Sequence, residues 1–105
     1  MKTYKLVVYV PIADADKVRS AIGEAGAGVV GNYTSSSFSS IGKGRFLPGK
    51  GAHPAIGKVG QLEVVEEEKI EVNCSEDIIS QVIKVMKASH PYEEVAYDVY
   101  ERIDL

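Results

Sequence analysis

Residues Gly42 to Gly60 read GKGRFLPGKGAHPAIGKVG, and the side-chain types able to hold a ligand are concentrated there. The stretch holds six of the ten glycines, two of the four prolines and the cations Lys43, Arg45, Lys50 and Lys58. No acidic residue lies between Glu24 and Glu63. Glycine lets a backbone approach a ligand closely, and successive N–H groups can form an anion-binding nest. Arginine meets a carboxylate or phosphate through a planar fork of donors. Gly44, Arg45, Gly51 and His53 are therefore the candidate contacts for a small anionic ligand. The order G-x-x-x-x-G-K-[ST] of a P-loop is absent, and no strand–GxGxxG–helix context for a dinucleotide exists. A stretch this rich in Gly and Pro is expected to be a long loop rather than a helix interior or a central strand. The plain alternative is an oligomer-stabilising loop with solvated lysines.

A second group is His90-Pro91-Tyr92-Glu93-Glu94. A histidine beside carboxylates can exchange protons or ligate a metal. The structural alternative places His90 in the last turn of a helix, where a cation complements the dipole, and makes Pro91 the stop. In the binding reading, His90 and Glu93 position the loop or its ligand. His53, His90, Cys74 and Glu93 form the alternative set for a divalent metal, although their spacing matches no zinc signature. Cys74 otherwise reads as a small, half-buried residue. Glu66, Glu67 and Glu68 read as a solvated acidic face, or as the receiver of a neighbouring subunit's cationic loop. Ser35 to Ser40 lack a nucleophile-elbow context. No nucleophile or acid/base pair stands out, so binding ranks above catalysis.

The chain has 105 residues, enough for one domain over 1–105 with a small core. Its net charge of −3 argues against general nucleic-acid binding. A single cysteine excludes an intramolecular disulfide. With no leader-like start and no apolar run of spanning length, the expectation is a cytoplasmic protein without membrane contact.

Tyr4–Val10 is apolar on both parities, as a central strand should be. Asp14 is a candidate N-cap, Val18, Ala21, Ile22 and Ala25 recur at helical spacing, and Gly26 suits the left-handed end. Tyr33–Ile41 reads as a second strand. Gln61–Val72 reads as a third, with a bulge or bend near Glu66–Glu68, or as two short strands. Ser75 is a candidate cap for a second helix carrying Ile79, Val82, Ile83 and Met86 inward, and Val95, Tyr97 and Val99 mark the last strand. The order β-α-β-β-α-β predicts an α+β, ferredoxin-like fold: an antiparallel sheet with both helices on one face. The uncovered face, with Tyr9, Val7 and Phe38 among its candidates, predicts a homo-oligomer.

GAGxxGNY over Gly26–Tyr33, GKGRFLP…GAHPAIG over Gly42–Gly57, QLEVVEEEKIE over Gln61–Glu71 and HPYEEVAYDVY over His90–Tyr100 together resemble the YqfO-type domain. That domain is an insert of bacterial NGG-interacting-factor-like proteins and also a free-standing protein of about this length. The resemblance covers nearly the whole chain. It implies a fold similar to CutA and the PII signalling proteins, typically trimeric. It also implies that the metal chemistry of the longer members belongs to flanking domains. The PII likeness implies a ligand-responsive or partner-contacting loop after the second strand, and the CutA likeness implies divalent-metal binding. The combined expectation is a non-enzymatic ligand-binding or regulatory module, with a metal-binding protein or a protein–protein adaptor as alternatives.

Overall fold

The computed structural model describes residues 1–105. The elements are β1 (Thr3–Pro11), α1 (Ile12–Glu24), β2 (Phe38–Phe46), β3 (Glu63–Ser75), α2 (Ile79–Ser89) and β4 (Tyr97–Arg102). They build one four-stranded sheet in the order β2-β3-β1-β4, every neighbouring pair antiparallel. This is the expected ferredoxin-like α+β arrangement.

Strand alternation sorts the sheet residues onto two faces. Leu6, Val8 and Val10 of β1 and Ile70, Val72 and Cys74 of β3 lie under the helices. They pack with Ala15, Val18 and Ile22 of α1 and with Val82 and Met86 of α2. Removing this apolar surface from water is the main force holding helices to sheet. Val7, on the opposite face, is also buried, which explains why β1 is apolar at both parities.

Local chemistry sets the ends of the elements, not always where the sequence pattern suggests. Helix α1 starts directly after Pro11, so Asp14 lies in the first turn, where its charge favours the helix N-terminus, and is not the cap. The helix ends in a Schellman arrangement. Ala27 N–H donates to Ile22 O, Gly26 N–H donates to Gly23 O, and Gly26 takes φ +106°. Ser75 closes β3 and bonds Asp77 through its hydroxyl, while Ile78 precedes α2, so Ser75 is not the second cap either.

Two strand boundaries also differ from expectation. Strand β2 occupies Phe38–Phe46 instead of Tyr33–Ile41, so Gly42–Phe46 is strand and not loop. An edge strand satisfies its ladder on one side only and tolerates glycine there. Strand β3 runs without a bulge, each residue from Glu63 to Ser75 having a partner. Glu66 and Glu68 interrupt its apolar alternation because they lie on the helix side near the sheet's end, and Glu68 there meets Arg19 of α1.

Strand β3 pairs with β1 over Glu67–Ser75 and with β2 over Glu63–Glu71. The four-residue offset leaves Lys43–Phe46 and Glu63–Glu66 as a two-stranded ribbon extending past β1. At the other end Thr3 stands opposite both Ser75 and Arg102, so the first and last strands finish side by side. No helix is long and apolar enough to cross a membrane.

Gly28 ties the α1–β2 connection to β3: its N–H donates to Asn73 O (2.7 Å) and its carbonyl accepts from Ser36 N–H (2.8 Å). Its φ is +88°, and a Cβ there would lie 2.5 Å from Ser36 O. Gly28→Ala is expected to cost about 1–3 kcal/mol, read as a lower midpoint in chemical denaturation with the m-value retained.

Candidate functional site

The sheet face away from the helices carries Tyr9 of β1, Glu67 and Lys69 of β3, and Ser40, Gly42 and Gly44 of β2. The register sets this grouping: Tyr9 and Ser40 both oppose Lys69, and Gly42 opposes Glu67. Residues 47–62 leave the ribbon and return to β3, and part of this segment is drawn toward the α2–β4 junction. His53 N–H donates to the Glu93 carboxylate (2.8 Å), and Pro48 is buried. Loop, ribbon and junction enclose a groove of about 670 Å³. Its walls include Phe46, Leu47, Pro48, Ile56 and Tyr92, and Glu67 and Lys69 contribute ionisable groups.

Glu67 is 9% exposed. The Tyr92 hydroxyl donates to Glu67 Oε2 (3.2 Å), and no salt bridge reaches the carboxylate. The carboxylate lies over Gly44, where a Cβ would stand 1.9 Å from Oε1. Glycine at 44 thus makes room for the acid, a role distinct from conformational freedom. Phe46 packs edge-on against Tyr92, with ring centroids 5.7 Å apart, so the ribbon and the junction support the same ring.

His90 holds the junction in place. Tyr92 N–H donates to its Nδ1 (3.1 Å), which puts the ring proton on Nε2, and Nε2–H donates to the Tyr9 carbonyl (2.7 Å). Both nitrogens are occupied, and the residue is buried. Burial, followed by the neighbouring Glu67 charge and its hydrogen bond, raises the Tyr92 pKa above its ordinary value of 10.0. Burial likewise raises that of the Cys74 thiol.

A Halalkalibacterium halodurans protein named GTP cyclohydrolase 1 type 2 homolog is 54% identical over 97 residues, which make up 92% of this chain and 26% of that protein. The Bacillus subtilis protein of the same name is 51% identical over 96 residues, 91% of this chain and 26% of its own length. The crystal structure of a Bacillus cereus protein related to NIF3 superposes with a TM-score of 0.85 at 48% identity, over 98% of this chain and 26% of that one. Over nearly its whole length the chain is similar to one segment of the NIF3-related proteins. It spans about a quarter of the length of the curated relatives it matches. CutA from Archaeoglobus fulgidus (TM-score 0.65, 15% identity, 92% of this chain and 80% of that one) and GlnK from B. subtilis (0.64, 21%, 97% and 86%) share the fold. No protein-family profile matches the chain.

The expected ligand residues are only partly brought together. Gly44, Arg45 and Glu93 line the groove. Strand alternation turns the Arg45 side chain, like that of Lys43, toward the other side of the ribbon, so Arg45 meets the groove at its edge. His53 enters the site through its backbone, and its side chain is exposed. Gly51 sits at φ +93° in the loop outside the groove lining, and His90 acts from behind it. The metal set is not assembled: Cys74 is in the helix-side core, and no group of three or more His, Cys, Asp or Glu side chains converges to hold an ion. Lys69 and Phe46 belong to the site although the sequence did not single them out, and Glu67, Tyr9 and Tyr92 belong to it although none was named as a ligand contact. The usable signal was parity: Glu67 and Lys69 fall out of phase with Ile70, Val72 and Cys74.

The Tyr92 shift has a signed consequence. A hydroxyl whose pKa is raised on folding contributes stability that is intact below pH 10 and is lost as pH rises through the folded value. Alkaline denaturation of the wild type should therefore steepen above pH 10, and Tyr92→Phe should remove that part of the slope. Denaturation midpoints of the two proteins measured from pH 8 to pH 12 check this.

Proposed function

We propose that this YqfO-type domain is a non-enzymatic small-ligand-binding or regulatory module of the cytoplasm, and that its ligand occupies the groove beneath the Gly-rich loop. The observation that carries this is the groove itself: about 670 Å³, apolar-walled, and bounded by a loop tied to Glu93 through the His53 N–H. A volume of this size with a few polar groups suits a small organic molecule. Lys69, on the groove side of β3, favours a ligand bearing an acid group, and Lys43 and Arg45 lie at the groove's edge. The GTP-related name of the longer relatives describes proteins four times this length, so their activity is not carried over. Native mass spectrometry of the purified domain should show a retained small molecule, lost in Glu93→Ala as the loop tie is removed. A bare protein whose melting temperature is also unmoved by a low-molecular-mass cell extract would overturn the reading.

The module is also proposed to be a homotrimer packed through its open sheet faces. Phe38 (67% exposed) and Tyr100 (57% exposed) stand on that face. Exposed apolar side chains on an uncovered sheet face favour a subunit contact. Light scattering should give three subunits for the wild type and one for Phe38→Asp/Tyr100→Asp. A monomeric wild type at micromolar concentration would sink this arrangement.

A further inference from the structure

Glu67 and Lys69 project from the same face of β3 into one groove, two residues apart, and neither forms a salt bridge. Two residues along a strand span roughly 6.6 Å. Each group is placed as if awaiting a counter-charge. Glu67 is the more constrained of the two. It is nine-tenths buried, its one side-chain partner is the neutral Tyr92 hydroxyl, and no hydrogen bond reaches Oε1. Burial leaves a carboxylate dependent on donors for the part of its shell that water no longer fills, and Oε1 is still open to one from the groove. The absence of a side chain at Gly44 is what admits the carboxylate, and the Phe46–Tyr92 contact holds its one donor in place.

We infer that the ligand is a small zwitterion whose protonated nitrogen pairs with Glu67 and whose carboxylate or phosphate lies toward Lys69. The inference rests on the groove being the ligand site, and it narrows the acid-bearing ligand proposed above to one that also carries a cationic nitrogen. Glu67 is buried and Lys69 half-buried, so both charges sit where the effective dielectric is lower than in bulk water and each pairing is strengthened. A purely anionic ligand would answer Lys69 and leave Glu67 without a counter-charge. A purely cationic one would leave Lys69 unanswered. The apolar walls at Leu47, Pro48 and Ile56 accommodate a hydrocarbon body between or beyond the two charges.

The test uses ¹⁵N-labelled full-length chain and a panel of free α- and ω-amino acids and aminoalkyl phosphates, each with its deaminated and decarboxylated or dephosphorylated counterpart. Amide shifts at Ala52, Ala55 and Ala96 report occupancy of the groove. The expected result is a zwitterion that moves these amides and binds about tenfold or more tightly than either counterpart, since a charge-assisted hydrogen bond reaches that scale. Glu67→Gln, which keeps shape and a partner for Tyr92, should abolish the preference over the deaminated compound, and Lys69→Met the preference over the compound lacking the acid. Should one variant not fold, the other still decides its half of the pairing. An anion without nitrogen that moves the groove amides equally well, or Glu67→Gln leaving the preference intact, overturns the zwitterion and leaves the groove standing. Groove amides unmoved by every panel member, together with a bare protein in native mass spectrometry, overturn both.

Discussion

Strand β3 is held by two partners whose registers are offset by four residues, and the rest of the site follows from that offset. Over Glu67–Glu71 it is paired on both sides, with β1 and with β2. Toward Glu63 it has only β2, and the pair runs on as a ribbon. A ribbon without a third strand has no core of its own. The loop segment and the α2–β4 junction close over one side of it. The side they close on is decided by parity, because the even residues of β3 are committed to the helices by Ile70, Val72 and Cys74. The odd residues Glu67 and Lys69 are thereby delivered to the groove. A slip of one residue would exchange these sets and place a carboxylate in the apolar core.

The junction is positioned by polar contacts. His90 joins β1 to the segment before β4 by accepting from the Tyr92 backbone and donating to the Tyr9 carbonyl. Tyr92 then reaches Glu67, and Glu93 takes up the loop at His53. Four consecutive positions, with Pro91 enforcing the break from α2, thus link helix end, central strand, third strand and loop. A part-buried network of this kind constrains geometry more than it adds stability, since each bond replaces one to water.

Much of the architecture was legible because it depends on short-range pattern. The double-parity apolar run of β1, the helical spacing of Val18 and Ile22, and the left-handed Gly26 each carry their own explanation. The second strand was misplaced because glycines at 42 and 44 look like loop. Only the knowledge that β2 is an edge strand, and that Glu67 lies over Gly44, reveals why they belong in a strand. Glu67 was hidden inside an acidic run that looks solvated. Its burial comes from residues some twenty positions away on either side, around Pro48 and at Tyr92, and no local pattern records that. The loop tie runs through the His53 backbone and not its imidazole, so residue type alone pointed to the right position for the wrong atom.

Thr3 and Arg102 face each other across a strand pair, so the two ends of the folded unit lie a single strand spacing apart. A unit with this geometry can be spliced into a surface loop of a host without stretching host or guest, because the host sees only a short gap. The matching segment makes up 26% of the length of the longer relatives. The same closeness means that a short linker could join the ends and a new opening be cut elsewhere, for instance in the exposed turn at Gly31–Asn32. Continuity of the chain is then dispensable at the point where β1 and β4 meet, while the β3 register is not.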